Sequence, residues 1–253
     1  MTTPIALQLY TIRDLLAQDF ENAIRKVADL GYIGVETANQ FGSSPASAAK
    51  LFDALGMQVM GAHSPLPLGD QKQEVLDTLG ALGCKRLIVA WQPPEKYTSL
   101  EGIKSICDTL NEGAAVAKAN GLRVGYHNHW FEYQRLENRI PVDVMLEHLD
   151  PNVFFEVDVY WVQTAGEDPA EVVRRLGSRV PLLHIKDGPC QINAPMTALG
   201  EGVVDIPSIV AAGAGSTEWL VVELDRCSTD VMEAVRKSYQ YVIEKGLGRG
   251  NQN

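Results

Sequence analysis

The sequence predicts a single-domain α/β protein, a (β/α)₈ barrel. Three observations predict it. Eight apolar runs of strand length alternate with amphipathic stretches of helical length, most of those stretches stop at a glycine, and 253 residues is about the length of one such barrel. A doubly wound open sheet is the rival, but it usually carries a glycine-rich turn after its first strand, and LQLYTIRD has none.

The elements follow in order. IALQLY (5–10) reads as the first strand, and Phe20 to Leu30 carries Ala23, Ile24, Val27 and Leu30 at helical spacing before Gly31. YIGVE (32–36) is strand two. A helix over Pro45 to Leu55 stops at Gly56, and QVMGAH (58–63) is strand three. Gln71 to Leu82 is helical and ends at Gly83, ahead of RLIVAW (86–91). A long helix spans Leu100 to Asn120, and LRVGYHNH (122–129) is strand five. Val142 to Leu149 precedes VFFEVDV (153–159), and Pro169 to Leu176 precedes PLLHIKD (181–187). Ile206 to Ala212 is a short helix, WLVVELD (219–225) is strand eight, and Thr229 to Glu244 is the last helix. One domain over 1–246 and a flexible glycine-rich tail over 247–253 are expected.

Composition narrows the function. Hydrophobic residues make up 45% of the chain, enough for a large core, so disorder is not expected. Lys and Arg number 22 against 32 Asp and Glu, a formal net charge of −10. Such a chain lacks the basic face that supplies most nucleic-acid affinity, and it does not suit an anionic membrane. No apolar stretch approaches the roughly 20 residues that cross a bilayer, and MTTPIALQLYTIRD lacks the basic n-region of a secretory signal. Cys84, Cys107, Cys190 and Cys227 are far apart with no C-x-x-C pair, so they read as reduced thiols in a cytoplasmic protein.

In such barrels the chemistry gathers at the C-terminal ends of the strands. Polar residues collect there: Glu36 on strand two, His63 on three, Trp91 on four, and His127 with His129 on five. Asp158 ends strand six, His184 and Lys186 strand seven, and Glu223 and Asp225 strand eight. Four of the five histidines fall at these ends, while His148 lies on a helix and reads as solvated. Period-two alternation puts His127 with His129, Glu156 with Asp158, His184 with Lys186, and Glu223 with Asp225 on shared faces. One such histidine alone is more simply a satisfied core residue. Four of them with several carboxylates on one rim would repel and lie desolvated unless a divalent cation compensated them. Imidazole and carboxylate donors without a thiolate suit one Mn²⁺, Co²⁺, Zn²⁺, Fe²⁺ or Mg²⁺. The segment 187–205 is long for a strand-to-helix connection and reads either as a surface excursion or as a lid over the rim.

The ordered set LQLYTIRD, GYIGVE, GAHS, GYHNHWFEY, FEVDVYW, LLHIKDG, ALGEGVVDI and LVVELD resembles the xylose-isomerase-like barrels, in particular the sugar phosphate isomerase/epimerase group. The likeness runs over nearly the whole chain. It implies one divalent metal held by the positions matching His127, Asp158, His184 and Glu223. The last three are the expected types. His127 stands where the group usually carries a glutamate, and Glu132 in HWFEY is the other candidate for that place. A Tyr-His-x-His strand five also resembles the inosose dehydratases, which eliminate water. Trp161 stands where sugar epimerases often have a histidine, and an indole stacks on a sugar ring without titrating. Barrels of this group often self-associate, so a homo-oligomer is an expectation.

The resemblance implies isomerisation or epimerisation of a keto-sugar or related polyol through an enediolate. Dehydration is the alternative reaction, and a sugar-binding barrel with a decayed metal site is the non-enzymatic one. Glu223 is the candidate base with Glu36 behind it, and Lys186, His63 and His129 are candidates to return the proton. Trp91, Asn128, Trp161 and Asp187 are the expected substrate-binding residues. Arg13, Lys186 and Arg226 are the main basic residues near the rim, which favours a non-phosphorylated substrate.

Overall fold

The computed structural model describes residues 2–38 and 42–251. Eight parallel strands form the barrel: β1 Thr3–Gln8, β2 Gly34–Ala38, β3 Gln58–His63, β4 Arg86–Val89, β5 Arg123–His127, β6 Phe154–Asp158, β7 Leu182–Ile185 and β8 Trp219–Val222. Each pairs with the next in sequence, and β1 closes the ring by pairing with both β2 and β8. The (β/α)₈ barrel read from the sequence is the observed fold. At their C-terminal ends β4, β5, β7 and β8 stop short of the apolar runs that announced them. Lys186, Glu223 and Asp225 therefore stand just past the ladder, where the chains splay into loops.

Among the described residues, ten α-helices surround the ring: α1 Arg13–Gln18, α2 Phe20–Asp29, α3 Pro45–Ala54, α4 Lys72–Leu82, α5 Leu100–Ala119, α6 Pro141–His148, α7 Val159–Thr164, α8 Pro169–Leu176, α9 Ile206–Ala212 and α10 Val231–Glu244. Side-chain caps start most of them: Asp19, Ser44, Ser99, Asp168, Asp205 and Asp230 each accept an N–H of the following turn. The two short helices α1 and α7 were not legible in the sequence. Asp158 starts α7, its Oδ1 accepting the Trp161 N–H at 3.1 Å, so one residue both ends a strand and opens a helix.

Alternation along the strands stacks inward side chains in layers. Met60, Ile88, Phe154, Leu182, Trp219 and Val221 fill the lower barrel, apart from the larger core between strands and helices. Above them the inward positions are polar. Two glycines make this filling possible: a Cβ on Gly125 would lie 2.2 Å from the Phe154 ring, and one on Gly61 would lie 2.6 Å from Glu36 Oε1. The β2–β3 register shifts between Val35 and Glu36, which sets Glu36 beside Gly61.

Part of the glycine-rich C-terminal segment is ordered against the barrel. Gly248–Arg249 forms a short strand, β9, paired with Thr3 and Pro4 of β1, and the Asn251 N–H donates to the Gly31 carbonyl at 2.8 Å. Thr3 and Pro4 lie before the register shared with β2 and β8, so their backbone edge is free to take a partner. Residues 252–253 of the expected tail lie outside the described residues. Among the described residues, no helix is long and apolar enough to cross a membrane.

Gly125→Ala is expected to cost ~1–3 kcal/mol through overpacking against Phe154. Gly80→Ala on α4 meets nothing within 4 Å and should gain up to ~1 kcal/mol from helix propensity. Urea unfolding of both variants against wild type checks the pair, and equal effects would contradict the packing argument.

Candidate active site

Strands β5 to β8 bring four donors together at the top of the barrel. One nitrogen or oxygen from each of His127, Asp158, His184 and Glu223 lies within 4.8 Å of the others, and all four residues are buried. Asp158 uses Oδ1 as the helix cap, and its Oδ2 lies 3.7 Å from His127 Nε2. Glu223 Oε2 lies 2.8 Å from His184 Nδ1. The buried Lys186 ammonium sits against the same carboxylates, 2.8 Å from Asp158 Oδ2, 2.7 Å from Glu223 Oε2 and 2.9 Å from Asp225 Oδ1.

A second polar layer lies immediately below. Glu156 Oε2 is 2.9 Å from His63 Nε2, 3.1 Å from His127 Nδ1 and 3.1 Å from His184 Nε2. Glu36 Oε2 is 2.6 Å from His184 Nε2 and accepts from the Gln8 amide at 2.7 Å. Glu36 and Glu156 are fully buried.

These neighbours set the charge states. Burial opposes a charged His63, but Glu36 and Glu156 outweigh it and raise its pKa to about 10. Burial likewise opposes protonation of His184, and Glu156, Glu36 and Glu223 overcome it. His127 is pushed down by burial and by His184. His129 falls to about 3 through burial and Lys186, so its imidazole is neutral. Burial raises the Asp158 carboxyl to about 6 against the pull of Lys186. Glu223 is drawn down by Lys186 and His184 despite its burial.

A cavity of about 760 Å³ opens above this centre, and His63, His127, His129, Trp161, Glu223 and Asp225 are among its walls. Trp91, 54% exposed, adds an aromatic face beside Leu66 and Leu68. Trp161 is buried with its Nε1–H unpartnered, and its ring lies 5.9 Å from the Lys186 nitrogen. No lysine or arginine is among the described residues that line the cavity.

Other expected site residues do not reach the cavity. Glu36 lies beneath it, bonded to His184 and Gln8. Lys186 lies beneath the wall, its ammonium shared among three carboxylates. Asn128 instead ties β5 to β6, its amide accepting from the Asp158 N–H at 3.0 Å and donating to the Asp158 carbonyl at 3.2 Å. Asp187 is buried, and both its oxygens are spent on the N–H groups of Gly188, Gly200, Gly202 and Val204 at 2.8–3.0 Å. It therefore pins the 187–205 segment down instead of meeting a sugar. That segment, whose Met196, Leu199 and Val204 are buried, does not line the cavity among the described residues and is not a lid over it. Glu132 does not enter the donor cluster: its oxygens take the Tyr126 hydroxyl at 2.6 Å and the His129 N–H at 2.8 Å. Sequence reading gave Glu156 no role and passed over Gln8. The signal for Glu156 was its place two residues before Asp158 on one face.

A closed parallel barrel with this rim defines a class, and comparison places the chain within it. The chain matches the xylose isomerase-like TIM barrel family over residues 24–243 and belongs to that family. An inosose dehydratase of Geobacillus kaustophilus is 26% identical over 191 residues, 66% of this chain and 61% of that protein. The chain thus spans under two thirds of that relative. One of Clostridium beijerinckii is 21% identical over 268 residues, 89% of each chain. Among solved structures, a sugar phosphate isomerase/epimerase of Parabacteroides distasonis shares the fold at TM-score 0.82 and 23% identity, covering 96% of this chain and 94% of that one. The IOLI protein, whose structure holds a zinc atom, aligns at TM-score 0.72 and 16% identity over 96% of this chain and 97% of that one.

Glu132 generates a stability prediction. Burial outweighs its hydrogen bonds and lifts its carboxyl from an ordinary 4.5 to about 8. Between those values the unfolded chain ionises there and the folded chain does not. Wild type therefore loses stability as pH rises through that window, at up to about 1.4 kcal/mol per pH unit, and this contribution is constant above about pH 8. Glu132→Gln lacks this contribution. Urea unfolding from pH 5 to about 9 should show the wild-type minus variant difference falling and then levelling, and a flat difference would contradict the assignment.

Proposed function

We propose that this barrel is a metal-dependent enzyme that removes the proton α to the carbonyl of a non-phosphorylated keto-sugar or keto-polyol, and that loss of water completes the reaction. The observation that carries the reading is the convergence of His127, Asp158, His184 and Glu223, of which His127 and Glu223 line the cavity. Two imidazoles and two carboxylates offer four donors to one divalent ion, and Lys186 beside the carboxylates carries part of their charge. The donor chemistry, imidazole nitrogen and carboxylate oxygen without a thiolate, fits Mn²⁺, Co²⁺, Zn²⁺, Fe²⁺ or Mg²⁺. The bound zinc of the IOLI protein supports the same reading. When bound, the ion supplies Lewis-acid polarisation of the substrate carbonyl, which acidifies the neighbouring C–H.

The rest is done by side chains. His63 and His129 both lie on the cavity wall, each with its ring centroid 5.2 Å from that of His127. His129, neutral, accepts the α proton, and His63 donates to the departing hydroxyl. Trp161 offers its unpartnered indole N–H to a sugar hydroxyl, and Trp91 stacks on the ring. Lys186 holds Asp158 and Glu223 in place. A cavity wall with two carboxylates and no described lysine or arginine disfavours a phosphate. Elimination fits better than symmetric epimerisation, because strand five contributes an imidazole where a second carboxylate base would stand. The inosose dehydratase relatives support that choice. Isomerisation or epimerisation is the second reading, favoured by Glu223, a carboxylate on the wall that can also serve as base.

Wild type incubated with Mn²⁺ and desalted should retain about one ion per chain by mass spectrometry, and Glu223→Gln should lose it. Keto-sugars and inososes, with and without phosphate, are then incubated in D₂O and followed by NMR and mass. The expected product is one water lighter and forms from the unphosphorylated compounds. His129→Ala should lower kcat by ~10²–10⁴. Deuterium exchange without water loss would select isomerisation, whereas sugar binding with neither metal nor exchange would select the binding module.

A further inference from the structure

Two layers of ionisable groups meet inside the barrel, and both histidines of the proposed metal set belong to both layers. A neutral imidazole has one N–H and one lone pair, and an ionised carboxylate only accepts. The inner nitrogens of the two rings face carboxylate oxygens. His127 Nδ1 lies 3.1 Å from Glu156 Oε2, and His184 Nε2 lies 3.1 Å from the same oxygen and 2.6 Å from Glu36 Oε2. Their outer nitrogens face the upper cluster: His127 Nε2 towards Asp158 and His184 Nδ1 towards Glu223. The two rings therefore use opposite atoms for the same task.

Strand order explains the arrangement. Register sets His127 of β5 opposite Glu156 of β6, and Asp158 of β6 opposite His184 of β7. The carboxylate two residues before Asp158 thus sits a layer lower on the strand between the two rings, within reach of both. Glu156 is fully buried and is not on the cavity wall, so no substrate touches it.

We infer that Glu156, assisted by Glu36, is the positioning residue of this centre, fixing His127 as the Nδ1–H tautomer and His184 as the Nε2–H tautomer so that Nε2 and Nδ1 respectively are presented to the ion. The inference rests on the metal-centre reading above. A carboxylate behind a metal-bound imidazole fixes its tautomer and raises its basicity, and losing one typically costs 10–100-fold in metal affinity. The rival is a second ion in the lower layer, since His63, His127, Glu156 and His184 also bring donors within 4.8 Å of one another. With both layers filled, His127 and His184 would each have to give up their last ring proton and bridge two ions.

The test uses the full chain loaded with Zn²⁺. Long-range ¹H–¹⁵N correlation of the histidine rings should show His127 protonated at Nδ1 and His184 at Nε2, with one zinc per chain by mass spectrometry. Calorimetry with Mn²⁺ should give a Kd roughly 10–100-fold weaker for Glu156→Gln, with circular dichroism unchanged, and a smaller loss for Glu36→Gln. The inference is overturned by the same tautomer on both rings, by two ions per chain, or by a folded Glu156→Gln that binds at wild-type affinity. If that variant does not fold, the wild-type tautomers decide alone. Wild type that takes up no ion would defeat the metal-centre reading itself, a result distinct from an ion bound with the wrong tautomers.

Discussion

Charge balance inside a closed barrel is the constraint on which the upper half of this molecule depends. Glu36, Glu156, Asp158 and Glu223 are buried side by side, and among the described residues Lys186 is the one lysine or arginine in contact with them. Isolated buried carboxylates are costly and must be paired or bonded. The polar architecture follows from that requirement. Three imidazoles interleave with the carboxylates, Lys186 bridges the upper pair to Asp225, and Gln8 supplies a neutral donor to Glu36. Gly61 leaves room for the Glu36 side chain, because any Cβ there would collide with it.

The fold was legible because the barrel repeats one rule eight times: an apolar run, a glycine or a cap, an amphipathic helix. The misses have local causes. Helices α1 and α7 are six residues each and too short for a periodic signal, and α7 is started by Asp158, which also ends a strand. β9 holds two residues and pairs only because β1 offers a free edge.

The candidate site was legible to the extent that strand alternation fixes which side chains point inward. It put His127, Asp158, His184 and Glu223 on one rim, and the structure brings their donor atoms together. Alternation does not say how high along the barrel axis a residue sits or what its polar atoms already bond. Asp187 and Asn128 stand at strand ends like the others, yet their hydrogen bonds go to backbone groups, one holding a loop and the other two strands. Glu36 points inward as expected but lies one layer too deep to meet a substrate. Such distinctions belong to register between strands, which no single segment of sequence carries.

Register also bears on the chemistry. In a layered barrel the residues that touch substrate and those that hold the touching residues come from the same strands, two positions apart. Asp158 and Glu156 stand two positions apart on β6, one in each layer, and Glu223 and Asp225, just past β8, sit beside one lysine. A substitution in the lower layer should alter binding at the upper one without changing the shape of the cavity. With an imidazole on strand five, the upper layer carries one acidic donor fewer than a carboxylate there would give. His63 and His129 on the cavity wall are shifted in opposite directions, the first raised in pKa by Glu36 and Glu156 against its burial and the second lowered by burial and Lys186. On the elimination proposed above, that difference keeps one imidazole protonated and the other neutral on a single wall.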